Sequence, residues 1–93
     1  MAKPVLMDFY ADWCGPCRQQ DKIVEEVKKS YADKVDFRKI DVDSNRVIAM
    51  KYSVMAIPTI IVECEGRIIQ QFVGVTRAEK LVEALDRALE SCK

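Results

Sequence analysis

The 93-residue chain contains no histidine, and neither sign of charge is in excess, because 15 Lys and Arg balance 15 Asp and Glu. A neutral chain without a basic stripe lacks the electrostatic surface that nucleic-acid binding needs. Its apolar runs are far shorter than the roughly 18 residues that span a bilayer. The first apolar run stops at Asp8, which is unlike a secretory signal. We therefore expect a cytoplasmic protein with no nucleic-acid or membrane partner.

Long apolar segments, repeats and linkers are all missing, and the bulk composition is that of a soluble globular protein. Apolar residues make up 49% of the chain and charged residues 32%, which is typical of such proteins. A chain of this length has room for one domain with one modest core. We therefore predict a single domain over residues 1–93.

Hydrophobic patterning predicts the order strand, helix, strand, helix, strand, strand, helix. The predicted elements are a strand from Pro4 to Tyr10, a helix from about Gly15 to Tyr31, a strand from Val35 to Ile40, a short helix through about Lys51, a strand opening at Ile57, a strand from Ile68 to Val73, and a helix carrying Leu81 to Leu89. The first two strands should be parallel with a right-handed crossover. Glu65-Gly66 predicts a hairpin turn between the last two strands, and Thr76-x-x-Glu79 resembles a capping box.

Two of the four cysteines, Cys14 and Cys17, form a Cys-x-x-Cys pair between a predicted strand and a predicted helix. Partial positive charge at the helix N-terminus stabilises a thiolate at Cys14, which is therefore the expected nucleophile. Cys17 lies one turn into the helix and is the expected resolving thiol. Pro16 suits the first helical turn, and Trp13 would shield one side of the sulfur pair.

A zinc site is the structural alternative for a Cys-x-x-Cys pair. A closed zinc site needs four ligands, but the sequence has no histidine, and Cys64 and Cys92 do not form a second pair of this spacing. We therefore expect no metal. Cys64 next to the hairpin turn and Cys92 near the C-terminus are expected to be exposed, incidental thiols, with regulatory oxidation or intermolecular disulfides as the alternative.

Asp8 stands in the middle of an apolar predicted strand, between Met7 and Phe9. Burial of a carboxylate there should raise its pKa. Such an acid near the sulfur pair could accept and return the proton of Cys17. The alternative is that Asp8 faces water at a strand end.

The motif Trp13-Cys14-Gly15-Pro16-Cys17, preceded by the segment from Val5 to Asp12, resembles the active-site strand and loop of thioredoxins. The segment Ala56-Ile57-Pro58-Thr59 resembles the Ile-Pro-Thr segment of that family, whose proline is cis. The resemblance implies a lysine, Lys39, close to the buried acid Asp8, and a cis-proline, Pro58, facing the sulfurs. It also implies a substrate groove formed by Trp13, Gly15, Pro16, Ile57, Pro58, Val73 and Gly74, in which the backbone of Ile57 pairs with an extended substrate.

The usual family member has a further strand and helix before the active-site strand, whereas three residues precede Pro4 here. The resemblance thus implies a compact α/β thioredoxin-like fold, βαβαββα, with a four-stranded mixed sheet and three helices. The expected strand order is second, first, third, fourth, with charged residues on the second strand protecting an edge. We expect a monomer, with weak dimerisation through the face of the short helix as the alternative.

The resemblance implies a protein disulfide reductase that cycles the Cys14/Cys17 dithiol without a cofactor of its own. Electrons would come from a thioredoxin reductase, flavin- or ferredoxin-linked, and pass to disulfide-containing target proteins. Gly-Pro between the cysteines favours the reducing direction. Two alternatives stay open: a glutaredoxin-like reductase linked to glutathione, and a binding module that uses the fold as a scaffold.

Overall fold

The computed structural model describes residues 2–92. Its elements are β1 (Val5–Tyr10), α1 (Gly15–Tyr31), β2 (Asp36–Asp41), α2 (Arg46–Lys51), β3 (Thr59–Cys64), β4 (Arg67–Val73) and α3 (Ala78–Ser91). This order confirms the predicted βαβαββα arrangement. No described helix combines the length and the apolar content needed to cross a membrane.

The four strands form one mixed sheet in the predicted order β2-β1-β3-β4. β1 runs parallel to β2 and places Asp8 opposite Lys39, while β3 lies antiparallel on its other side and places Ile60 opposite Asp8. β3 and β4 form a hairpin whose two turn residues, Glu65 and Gly66, both have positive φ, 50° and 81°. Positive φ at both central positions matches the right-handed twist of the strands.

The two faces of the sheet carry separate cores. α1 and α3 cover one face, where the fully buried residues include Leu6, Ile60, Val62, Leu81 and Leu85. The other face has a smaller core of Met7, Phe9 and Ile61, packed by partly buried residues that include Tyr52 and Val54 near α2. Because side chains alternate along a strand, Asp8 lies on the same face as Leu6, towards α1.

The start of α3 differs from the predicted capping box. The residue that precedes the helix is Arg77, and it makes no capping hydrogen bond with its side chain. The Thr76 hydroxyl instead donates to the carbonyl of Gly74 at 3.0 Å. The buried Gln20 side chain also accepts the Thr76 N–H at 2.7 Å and donates to its carbonyl at 3.1 Å. The prediction was wrong because Thr76 is held by α1 and by its own turn.

The prediction that Cys64 and Cys92 are exposed free thiols is wrong, because they form a buried disulfide with Cα atoms 5.8 Å apart. Cys64 follows Ile60 and Val62 at alternate positions of β3, the positions that face the α1/α3 core. Cys92 directly follows α3 and reaches the same end of that strand. Position beside a turn and near the C-terminus therefore did not predict exposure, because α3 packs back along β3.

Loss of the Cys64–Cys92 disulfide should lower the free energy of unfolding by about 3–4 kcal/mol, because chain entropy favours cross-links that close long loops. The cross-linked residues are 28 apart in sequence. Denaturant unfolding of Cys14→Ala/Cys17→Ala, measured oxidised and then reduced, isolates this bond. Equal unfolding midpoints for the two samples would contradict a stabilising role.

Candidate active site

The Cys14–Cys17 disulfide lies between the end of β1 and the start of α1. Cys14 is the N-cap residue of α1, and its sulfur accepts the backbone N–H of Cys17 at 3.2 Å. Pro16 occupies the first turn, where a missing N–H costs no helical hydrogen bond. An N-cap sulfur receives both a backbone N–H and the positive end of the helix dipole, which stabilise it as a thiolate.

The two sulfurs differ slightly in exposure. Cys14 is 5% exposed and Cys17 is 1% exposed. Trp13 is 70% exposed, and its indole N–H donates to the Asp43 carboxylate at 2.9 Å. This bond fixes the orientation of the ring at the surface, a role that the sequence did not predict for Asp43.

The Ile57–Pro58 peptide bond is cis, as the resemblance implied. Ile57 packs against the small cluster formed by Ala11, Cys14 and Cys17. The N–H of Gly74 donates to the Pro58 carbonyl at 2.8 Å, which brings the end of β4 beside the cis-proline. The loop before β3 therefore borders the disulfide.

An open groove of about 330 Å³ lies beside this loop. Its lining consists of Trp13, Val42, Val54, Met55, Ala56 and Ile57. Two of the predicted groove residues, Trp13 and Ile57, therefore share one surface, and Val73, at the end of β4, is exposed. Val42 and Met55 were missed, because nothing in their sequence neighbourhood separates them from ordinary loop residues.

Asp8 is fully buried, and neither of its carboxyl oxygens has a hydrogen-bond partner among residues 2–92. The pKa of Asp8 is raised to about 8, chiefly by burial and also by the nearby Asp21 carboxyl, while the charge of Lys39 opposes the rise in part. The alternative of a water-facing Asp8 is thus wrong. An acid with this pKa exchanges its proton close to neutral pH.

Lys39 lies beside Asp8 in the sheet register, but its ammonium group pairs with a different acid. Lys39 Nζ donates to Asp21 Oδ2 at 2.9 Å and lies 4.4 Å from the centre of the Tyr10 ring. The bond to Asp21 also raises the pKa of Lys39. Sequence reasoning missed Asp21, although its position four residues after Cys17 on a helix was a usable signal.

No group of three or more potential metal ligands occurs among residues 2–92.

Comparison with known proteins gives one family model, Thioredoxin, which matches residues 1–87. The thioredoxin of Staphylococcus aureus is 45% identical over 84 residues, covering 90% of this chain and 81% of that protein.

Two solved structures that resemble this chain are also thioredoxins. The X-ray structure of Fasciola hepatica thioredoxin is 40% identical with a TM-score of 0.84, covering 92% of this chain and 81% of that one. A mutant thioredoxin from Halobacterium salinarum is 33% identical with a TM-score of 0.86, covering 94% of this chain and 75% of that one.

The buried Asp8 carboxyl should make the protein less stable as pH rises. Its pKa lies near 8 when folded and near its ordinary value of 3.8 when unfolded, so the folded state holds the proton more tightly between those values. Each unit of difference between the folded-state and unfolded-state pKa corresponds to about 1.4 kcal/mol. Wild type should therefore lose a few kcal/mol of unfolding free energy between pH 4 and pH 8.

Chemical denaturation of wild type and Asp8→Asn across this pH range tests that expectation. The variant has no group to ionise at this site, so its unfolding free energy should depend less on pH and exceed that of wild type at pH 8. Parallel pH profiles for the two proteins would rule out a displaced Asp8 titration.

Proposed function

The chain belongs to the thioredoxin family and is a thiol–disulfide oxidoreductase, and we propose that Cys14 attacks substrate disulfides while Cys17 resolves them. The family agrees with the resemblance of the active-site motif, and its members act as protein disulfide reductases. One observation carries the division of roles: the Cys14 sulfur caps α1 and accepts the Cys17 N–H. The more exposed and better stabilised sulfur is the better candidate for attack on a second protein.

In the proposed cycle, the Cys14 thiolate attacks one sulfur of a substrate disulfide. A mixed disulfide forms and the first substrate sulfur leaves as a thiolate. The Cys17 thiol then gives up its proton, and its sulfur attacks the Cys14 sulfur. The Cys14–Cys17 disulfide forms and the second substrate thiolate leaves, so that two electrons have passed to the substrate.

We assign the acceptor of the Cys17 proton to Asp8. Its full burial and its position on the sheet face covered by α1 favour this role. A pKa of about 8 allows the carboxylate to take a thiol proton and to release it again near neutral pH. Lys39 tunes this group through its charge and through its ion pair with Asp21.

The groove beside the cis-proline is the proposed binding site for an extended segment of the substrate. Among residues 2–92, no hydrogen bond uses the backbone N–H or carbonyl of Ile57, so both groups are open to pair with a substrate strand. Trp13 and Met55 offer apolar contact on one side. We propose that Gly15, Pro16, Pro58, Val73 and Gly74 complete this surface.

Thioredoxins in general act with disulfide-containing targets and with reductases that regenerate the dithiol. For this chain we propose a flavin- or ferredoxin-linked thioredoxin reductase as electron source and a cytoplasmic location, because the cycle needs a reducing compartment. We further propose that residues 1–93 work as one domain and as a monomer.

Substitution of each active-site cysteine should separate the two steps. Cys14→Ser should abolish reduction of a protein disulfide such as that of insulin, because the attacking sulfur is gone. Cys17→Ser should form a mixed disulfide through Cys14 that persists, because no thiol resolves it. Mass spectrometry of the trapped species identifies the linked cysteine, and Cys64→Ala/Cys92→Ala is the matched control. Capture through Cys17 in Cys14→Ser would reverse the assignment.

Replacement of Asp8 should slow resolution rather than binding. In Asp8→Asn, single-turnover measurements near pH 7 should show resolution of the mixed disulfide slowed on the order of 10²-fold, the usual size of a lost general base. The KM for the protein substrate should stay close to that of wild type. An unchanged resolution rate would remove Asp8 from the mechanism.

A further inference from the structure

Asp21 lies one helical turn beyond Cys17 on α1, at the i+4 position that shares its face. Its side chain is 26% exposed. One oxygen, Oδ2, accepts the Lys39 ammonium at 2.9 Å, whereas the other, Oδ1, is buried and has no hydrogen-bond partner among residues 2–92. One oxygen of this carboxyl group is therefore fixed by a hydrogen bond, and the other is buried without a donor.

Both carboxyl oxygens of Asp8 are also buried without a hydrogen-bond donor. Three buried carboxyl oxygens on β1 and α1 therefore lack donors within residues 2–92. Asp8 and Asp21 line one cleft of about 180 Å³ between α1 and β2. Buried polar atoms without partners are rare because each one costs free energy. One proton shared between the two carboxyl groups would supply the missing donor, because a protonated carboxyl donates to a carboxylate.

We propose that Asp21 is a positioning residue of the redox site, which shares one proton with Asp8 and connects that proton to solvent. The proposal deepens the role of Asp8 given above and rests on it. Lys39 holds the outer oxygen of Asp21, so that the inner oxygen is directed towards the buried carboxyl. The pair carries one proton and one negative charge, and the Lys39 ammonium balances the charge.

A second cleft, of about 270 Å³, connects Asp21 and Lys39 with Cys17. Its lining includes Cys17, and Asp21 and Lys39 line both this cleft and the one that reaches Asp8. During resolution the shared proton lies on Asp21, and the proton that leaves the Cys17 sulfur joins the Asp8 carboxylate. Asp21 then releases its own proton from its exposed side to water, and the proton on Asp8 becomes the shared one, so that the pair again holds one proton and one negative charge.

The groups around the pair determine its titration. Asp8 is faced by Asp21 from α1, by Lys39 from β2 and by the apolar Ile60 from β3, while the core-facing side of α3 carries Leu81, Ala84, Leu85 and Ala88. The remaining titratable or charged groups that line the two clefts are Tyr10, Asp12, Arg18, Glu25, Lys28 and Arg38. Asp21 is the acid that acts most strongly on Asp8.

Titration of Asp8 in Asp21→Asn tests the pair without reference to activity. Loss of the Asp21 charge, together with release of Lys39, should lower the pKa of Asp8 by about one pH unit or more. The measurement is the pH dependence of the Asp8 carboxyl carbon by NMR in the oxidised protein. Glu25→Gln is the matched control, because it removes a carboxylate from the same helix and the same cleft, and it should leave the midpoint in place. An unmoved midpoint in Asp21→Asn would overturn the pair.

A kinetic measurement tests the proton route. The pH midpoint of mixed-disulfide resolution should move in Asp21→Asn in the same direction and by the same amount as the Asp8 titration, and Asp21→Glu should restore most of the wild-type profile. A shifted titration with an unshifted rate profile would overturn the route from Asp8 through Asp21. Failure of Cys17→Ser to trap a mixed disulfide through Cys14 would instead refute the proposed function, and the NMR titration would still decide whether the pair exists.

Discussion

Burial of the Asp8 carboxyl group in the central strand is the constraint on which the rest of the redox site depends. β1 has hydrogen-bonded neighbours on both sides, and α1 covers the face to which Asp8 points. Ionisation of a carboxyl in such a place has a high cost in free energy. The raised pKa of Asp8 lets this carboxyl exchange a proton near neutral pH, and the pH dependence that we predict for folding and propose for disulfide exchange both originate in it.

The ion pair between Lys39 and Asp21 positions two charges near Asp8 and contributes little to the stability of the fold. The Lys39 side chain is more than half exposed, and exposed pairs of this kind usually contribute no more than about 1 kcal/mol. The pair nevertheless decides where two charges lie. Lys39 is held towards Asp21, so the positive charge that would favour ionised Asp8 is partly neutralised by a second acid. This division helps to hold the pKa of the buried carboxyl close to neutral pH, where the group can both accept and release a proton.

The sequence predicted most of the fold, because element order and strand order follow from short-range patterns. The alternation of strands and helices, the Glu65-Gly66 turn and the charged β2 together determine a four-stranded sheet. The site was predictable where one residue type has one chemistry, as at Cys14, Cys17 and Asp8. It was not predictable where the role depends on packing across distant segments. Asp21 resembles any surface acid of an amphipathic helix until β2 places Lys39 beside it.

Packing between distant segments also explains why Cys64 and Cys92 were wrongly predicted to be exposed free thiols. It further separates the two disulfides of the chain in space. β1 and β3 are antiparallel, with Phe9 opposite Thr59 and Val5 opposite Glu63. Cys14 follows the end of β1 that lies beside Thr59. Cys64 is the last residue of β3, at the opposite end of that strand, and a strand of this length spans about 17 Å. The two disulfides are equally little exposed, at 5% for Cys14 and Cys92 and 1% for Cys17 and Cys64. They differ in their surroundings, because Ile57, which lines the open groove, packs against Cys14 and Cys17. Thiol–disulfide exchange requires access of a thiolate to a sulfur, so the groove beside Cys14, and not a greater exposure of its sulfur, is the feature that favours exchange at this disulfide, while the second bond links the end of α3 to β3.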